Sequence, residues 1–186
     1  MFWSHADLVL LHPPSVYDFR RECIMFGPIS DVIPSTPQFE LYPVGFSSLV
    51  EHLGKKGFSV RILNLAYRML ADSSYDVEEE LKRMRPPLAF GIDLHWLPHA
   101  HGSVEIARIC KRLHPKVPVI FGGYSATYFH QELIRYPEVD FVVRGDSTEE
   151  PMIMLMQALE NPRKARLESI PNLTWKDGGN GIHINP

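Results

Sequence analysis

The chain has only two cysteines in 186 residues, Cys23 and Cys110, and they stand far apart. Two such residues build neither a disulfide framework nor a metal knuckle, and a reducing cytoplasm is the expected compartment. No apolar run approaches the length of a membrane span. The first eleven residues include Asp7 and carry neither the basic start nor the small-residue cleavage site of a secretory signal. Neither sign of charge dominates: the net charge is -3 and the lysines and arginines are scattered, so no basic stripe points to nucleic acid.

Familiar catalytic and nucleotide motifs are missing too. The dinucleotide fingerprint G-x-G-x-x-G should follow the first strand, where His12-Pro13-Pro14 stands instead, and no G-x-x-x-x-G-K-[ST] loop occurs. Gly123-Tyr124-Ser125-Ala126-Thr127 lacks the second glycine of a nucleophile elbow. The first strand ends Leu10-Leu11-His12, without the aspartate of a phosphoacceptor domain. No carboxylate pair is placed as acid and base, so no catalytic residue is assigned.

What remains is a strong alternation of short apolar runs and amphipathic stretches. Strands are expected at Leu8 to Leu11, Phe58 to Leu65, Leu88 to Ile92, Val117 to Phe121 and Val139 to Val143. Helices are expected at Pro43 to Lys56, Asp76 to Met84, Gly102 to Leu113, Tyr128 to Ile134 and Glu150 to Glu160. This pattern predicts a flavodoxin-like or Rossmann-like α/β fold, a doubly wound sheet of five parallel strands. Residues 15–41 show no sustained period and contain Pro28, Pro34 and Pro37; they read as a long loop whose Tyr17, Phe19, Ile24, Met25 and Phe26 are placed to cover a ligand or meet another domain. After Asn161 the texture changes. Ile170 to Trp175 and Gly181 to Ile184, around Lys176 to Asn180, read as a β-hairpin extension. The expected division is an α/β domain over 1–160 and a hairpin or linker over 161–186.

Every irregular, polar or glycine-rich stretch follows a strand, so these stretches gather on the carboxyl edge of the sheet, where open α/β folds bind ligands. The most informative is Pro118 to Thr127, an apolar run that ends in Gly122-Gly123. Residues without Cβ let the backbone turn sharply or lie against something bulky. Ser125 and Thr127 are placed to cap the next helix or to bind the same ligand. Asp93, His95, His99 and His101 look superficially like a metal cluster, but nothing in their spacing makes three or four of them converge, and no metal ligand is assigned. Arg144 and Asp146 are expected to pair locally or hold their loop. Glu149 and Glu150 suit the start of a helix.

These residues resemble the amino-terminal cobalamin-binding domain of the B12-dependent radical S-adenosylmethionine enzymes. The resemblance runs over Leu11-His12-Pro13-Pro14, Tyr42-Pro43-Val44-Gly45 with Leu49, Leu53, Gly57, Val60 and Leu65, Gly122 to Thr127, Val143-Arg144-Gly145-Asp146-Ser147-Thr148-Glu149, and Ile170-Pro171-Asn172-Leu173. The chain departs from that pattern at Asp146-Ser147, where the family has Glu-Gly, and it has no C-x-x-x-C-x-x-C motif. Cobalamin domains that donate a histidine carry D-x-H-x-x-G after the first strand; here Leu11-His12-Pro13-Pro14 stands there, and Asp93-Leu94-His95 only imitates its start.

The resemblance implies base-off cobalamin with no histidine on cobalt. It places the corrin over His12, Pro13, Asp93, Leu94, His95, Trp96 and the 15–41 loop. The nucleotide tail would run beside the fourth and fifth strands, past Gly122, Gly123, Tyr124, Ser125 and Thr127 and the Arg144, Gly145, Asp146, Ser147, Thr148 loop. It further implies a radical S-adenosylmethionine catalytic domain in the same polypeptide. S-adenosylmethionine and a 4Fe-4S cluster would belong to that domain, and methyl transfer or related radical chemistry to the whole enzyme. Two other readings stay open: a flavodoxin-like flavin-, nucleotide-binding or regulatory domain, and a structural domain whose edge is empty.

Overall fold

The computed structural model describes residues 5–21, 43–179 and 181–186. Cys23, Ile24, Met25, Phe26, Pro28, Pro34, Pro37, Tyr42 and Asn180 lie outside the described residues. Within them, the expected sheet is present. Strands β1 (Leu8–His12), β2 (Val60–Asn64), β3 (Ala89–Asp93), β4 (Val119–Gly122) and β5 (Phe141–Val143) are parallel in the order β2-β1-β3-β4-β5. β6 (Leu173–Lys176) pairs antiparallel with β5, and β7 (Ile182–Ile184) antiparallel with β6. The hairpin is therefore the outer part of the same sheet. Ile170 and Leu173, at its entrance, are buried in the common core.

Strand β1 is buried at all five positions, as expected of a central strand covered on both faces. Alternation sends its side chains to two different cores. Val9 and Leu11 join Ile92, Phe121 and Val142 beneath α2 (Leu65–Ala71), α3 (Val77–Arg83), α4 (Ala100–Leu113), α5 (Tyr124–Tyr128) and α6 (His130–Leu133). Leu8 and Leu10 join Ile120, Phe141 and Val143 beneath α1 (Val44–Lys55) and α7 (Glu149–Glu160). The stripe expected in α1 is realised by buried Phe46, Leu49 and Leu53. Ser48 Oγ donates to Glu149 Oε1 at 2.6 Å and ties α1 to α7. That bond and the amide at the helix start hold the Glu149 carboxyl below the usual carboxylate range.

Several strands are shorter at their starts than expected, with β2 beginning at Val60, β4 at Val119, β5 at Phe141 and β6 at Leu173, and the boundaries around α2, α4 and α5 differ for identifiable reasons. β2 ends at Asn64, not Leu65, because the Asn64 side chain accepts from Tyr67 N–H and starts α2, a helix the sequence pattern did not reveal. α4 begins at Ala100, two residues before Gly102, after a 3-10 turn at Leu97–His99. The helix expected at Tyr128 to Ile134 begins instead at Tyr124 and breaks at Phe129 into α5 and α6. Gly102 has a packing reason: a Cβ there would stand 1.7 Å from Pro14 O, so only glycine lets α4 lie against the segment that follows β1.

Candidate functional site at the carboxyl edge

The strand order reverses at β1, whose two neighbours are β2 and β3. Such a switch point leaves a crevice beyond the strand ends. His12 ends β1 and Asp93 ends β3, and His12 Nδ1 lies 3.0 Å from Asp93 Oδ2. Both side chains are nearly buried, at 10% and 13% exposure. The buried His99 ring lies 6.0 Å from the His12 ring, centroid to centroid. Ser103 Oγ donates to Asp93 O and fixes the start of α4 against the end of β3.

The Gly122-Gly123 pair divides into two roles. Gly123 adopts φ 107°, in the region that favours glycine, and a Cβ there would stand 2.8 Å from Leu94 C and O and 2.9 Å from His95 N. Its missing side chain is thus matched to the neighbouring loop backbone. Gly122 has, among the described residues, Val143 O at 4.0 Å as the nearest atom to its notional Cβ, and it lines the cavity described below.

Around this crossing the loops are laced together. Leu94 N–H donates to Gly122 O, Ala126 N–H to Leu94 O, and both Ser125 N–H and Ser125 Oγ to His95 O. Thr127 Oγ1 donates to Gly123 O at 3.0 Å and accepts from Gly145 N–H at 2.9 Å. The Ser125 and Thr127 hydroxyls therefore hold the loops after β3, β4 and β5 in register.

A cavity of about 570 Å³ opens at this edge. Of the residues singled out from sequence, His12, Asp93, His95, Trp96, Gly122, Gly123, Tyr124, Gly145, Asp146 and Thr148 line it. Pro13, Leu94, Ser125, Thr127, Arg144 and Ser147 do not. Pro13 and Leu94 are buried behind the lining residues. Arg144 turns away from the cavity: its guanidinium donates to Asn185 O, burial pushes its pKa down, and among the described residues it makes no ion pair with Asp146. Its Nε is buried with no hydrogen-bond partner among the described residues.

The lining that sequence reasoning missed comes from inside the layers: Leu10, Gly91, Ile92, Ile120 and Val143 of the sheet, Pro43 to Phe46 and Leu49 at the start of α1, Met152 of α7, and His99. Gly91, a glycine inside an otherwise apolar strand, was the available signal of a close approach, and here it is the Leu10 side chain that comes close, its Cδ2 2.6 Å from where a Cβ would stand. The mouth has an aromatic rim. The His95 ring lies 5.0 Å from Trp96 and 6.2 Å from Tyr124, and Tyr124 lies 4.9 Å from Tyr128. Trp96 is 62% exposed and Tyr124 50%.

Among the described residues no three His, Cys, Asp or Glu side chains are grouped to hold a metal ion. Cys110 is buried and its thiol is pushed up by burial, the opposite of a nucleophile's environment.

The family described as "B12 binding domain" matches residues 31–153. The anaerobic magnesium-protoporphyrin IX monomethyl ester cyclase of Synechocystis sp. is 31% identical over 127 residues, 67% of this chain and 25% of that protein. The hopanoid C-3 methylase of Methylococcus capsulatus is 25% identical over 140 residues, 74% of this chain and 26% of that protein. The chain therefore spans about a quarter of the length of these curated relatives. Among solved structures, the cobalamin-dependent S-adenosylmethionine radical enzyme OxsB, with aqua-cobalamin and S-adenosylmethionine bound, superposes with a TM-score of 0.63 at 11% identity, over 97% of this chain and 22% of that one. At that identity the likeness is one of fold. The family match covers well over half of the sequence, and the chain belongs to the B12-binding domain family.

Proposed function

We propose that this chain is the cobalamin-binding module of a B12-dependent radical S-adenosylmethionine enzyme. The observation that carries the reading is a cavity of the right kind in the right place. It opens at the topological switch point, runs between the sheet and the α1/α7 layer, and is left open at Gly122. Family membership supplies the cofactor class, and the relatives' names supply the enzyme class.

The residues fit a large, flat cofactor with a nucleotide tail. The corrin lies at the mouth, over His12, Asp93, His95 and Trp96 and against Tyr124. The tail enters past Gly122, with Gly145, Asp146 and Thr148 beside its phosphate and ribose. Ser125, Thr127, Leu94 and Pro13 position these groups without touching the cofactor. Cobalamin supplies the cobalt-centred chemistry when bound, and the protein supplies orientation and exclusion of water. His12, whose Nδ1 lies 3.0 Å from Asp93 Oδ2, would stand in the pocket wall, and the family resemblance implies that the cofactor would be held base-off, without histidine on cobalt. The two cysteines of this chain are too few for the three ligands of a radical S-adenosylmethionine cluster. That cluster and S-adenosylmethionine belong to a linked catalytic domain, in the cytoplasm, with methyl transfer or a related radical reaction as the activity of the whole enzyme.

The test is an anaerobic titration of the folded chain with hydroxocobalamin and methylcobalamin, reading absorbance after free ligand is removed. The expected result is about one corrinoid per chain, with a base-off spectrum unchanged by His12→Gln. Folded protein that retains no corrinoid at micromolar concentrations overturns the reading. A spectrum that changes with His12→Gln or His95→Gln overturns the ligation.

A further inference from the structure

On the face of the sheet opposite α1 and α7, a second cavity of about 320 Å³ lies between α4 and the α5/α6 segment. The helical layer beside α4 is incomplete there. α5 ends at Tyr128, α6 has only four residues, and the break between them at Phe129 leaves a groove. Its floor is apolar and buried, formed by Leu94, Val104 and Leu133. Its edges are apolar and exposed: Leu97 is 51% exposed, Phe129 41% and Tyr136 39%.

The two walls present their side chains at helical spacing. Ala100, Val104 and Arg108 follow one another at four-residue steps along α4, and Phe129, Leu133 and Tyr136 stand at i, i+4 and i+7 on the facing wall. Leu133 N–H donates to Phe129 O and Tyr136 N–H to Leu133 O, which keeps that second row helical. Two rows about two turns long, roughly 12 Å, are the ridges against which a third helix packs. The rim carries an excess of carboxylate. The Arg108 guanidinium is shared between Glu105, to which it donates, and Glu138, 3.7 Å away. Glu132 is exposed and in no ion pair among the described residues. A second copy of this chain seated through the groove would bring the same excess of negative charge to the contact, which opposes self-association.

We infer that this groove docks a basic amphipathic helix from the part of the enzyme that lies outside this chain. The inference rests on the reading of the chain as one module of a larger enzyme and adds a surface by which that module is held. The chain spans about a quarter of the length of its curated relatives, so an enzyme of their size supplies ample polypeptide to cover the groove. The groove is also continuous with the carboxyl edge: Leu97 at its rim follows Trp96, which lines the corrinoid cavity. The docked helix sets large apolar side chains at i, i+4 and i+7 over Leu94, Val104 and Leu133, with a lysine or arginine beside Glu132.

The test titrates the purified 186-residue chain into three fluorescent helical peptides and reads anisotropy. The first peptide has leucines at i, i+4 and i+7 flanked by lysines. The second has the same leucines flanked by glutamates, and the third has the lysines with its leucines scattered around the helix. Circular dichroism and corrinoid retention are measured on the same samples. The first peptide should bind at least about tenfold more tightly than the third. It should bind about threefold or more tightly than the second at low salt, with the gap narrowing at high salt. Phe129→Asp and Leu97→Asp, both at exposed positions, should each weaken the first peptide at least about tenfold and leave corrinoid retention unchanged. Equal binding of the first and third peptides, or binding that survives both substitutions, would overturn the inference. Sedimentation showing a dimer that Phe129→Asp splits would overturn it in favour of a second copy. Corrinoid retention without peptide binding would overturn the inference and leave the cobalamin reading standing. Peptide binding by folded chain that retains no corrinoid would instead overturn the cobalamin reading, and with it the assignment of the helix to that enzyme.

Discussion

His12 and Asp93 are 81 residues apart in the chain and 3.0 Å apart in the fold, Nδ1 to Oδ2. Each is the last residue of a parallel strand, and the two strands are neighbours at the point where the sheet changes direction. The pair closes the floor of the cavity mouth with two polar groups that satisfy one another. Asp93→Ala removes that acceptor from a nearly buried imidazole and is expected to cost about 1–3 kcal/mol of stability. Asp93→Asn keeps an oxygen acceptor and should cost clearly less. Urea denaturation of the two variants decides the matter, and equal losses would show that the hydrogen bond is not what Asp93 contributes.

The adjacent glycines should fail in different ways. Gly123→Ala places a Cβ against the Leu94 and His95 backbone at a φ of 107°, so it should destabilise the fold by about 1–3 kcal/mol or more. Gly122→Leu meets no such contact and projects toward the cavity, so it should leave the melting temperature within a few degrees of the parent and abolish corrinoid retention. Measuring melting temperature and retained corrinoid on both variants separates the roles. A Gly123→Ala protein as stable as the parent would show that the crossing of the Leu94 and His95 backbone does not require a glycine at that position.

Stability should also fall toward acid through His130. Burial, together with the positive Arg144 nearby, holds its imidazole below the ordinary value. The unfolded chain therefore binds this proton more readily than the folded one. The contribution of neutral His130 is complete above the ordinary histidine pKa of about 6.5 and declines as pH falls through that value, levelling off below the lower folded value. His130 Nδ1 lies 2.9 Å from Thr174 Oγ1, so the site couples α6 to β6. Denaturation at about pH 5 and about pH 7.5 should show a smaller difference in His130→Gln than in the parent. An unchanged difference would place the acid sensitivity elsewhere.

Much of this architecture was legible along the chain. The apolar runs around Leu8, Val60, Phe90, Ile120 and Val142 became the five parallel strands, and the hairpin took its expected antiparallel place. His12, Asp93, Gly122 and Gly145 were located because strand ends can be read from where an apolar run stops, and in a parallel sheet all such ends share one edge. The misses have local causes. Helix α2 escaped notice because the capping bond from Tyr67 N–H to the Asn64 side chain, which starts it, leaves no mark on hydrophobic periodicity. The helix after β4 was placed late because Tyr124 and Tyr128 are exposed aromatics without an apolar stripe to announce them. Ser125 and Thr127 have the chemistry of ligand groups, and only the arrival of the His95 carbonyl and the Gly145 amide beside them gives their hydroxyls other work.

Order, strand ends and the small residues at them follow from the sequence, because periodicity and chain breakers act over a few residues. The depth of the cavity does not. It depends on Leu10, Gly91 and Ile120 standing side by side from three strands, and on Leu49 and Met152 meeting over them from two helices distant in sequence. The split between Gly122 and Gly123 is of the same kind: two identical residues acquire opposite surroundings because the backbone of Leu94 and His95 crosses against one and leaves the other open. Contacts between distant segments are set by how layers pack, and packing is a property of the whole chain at once.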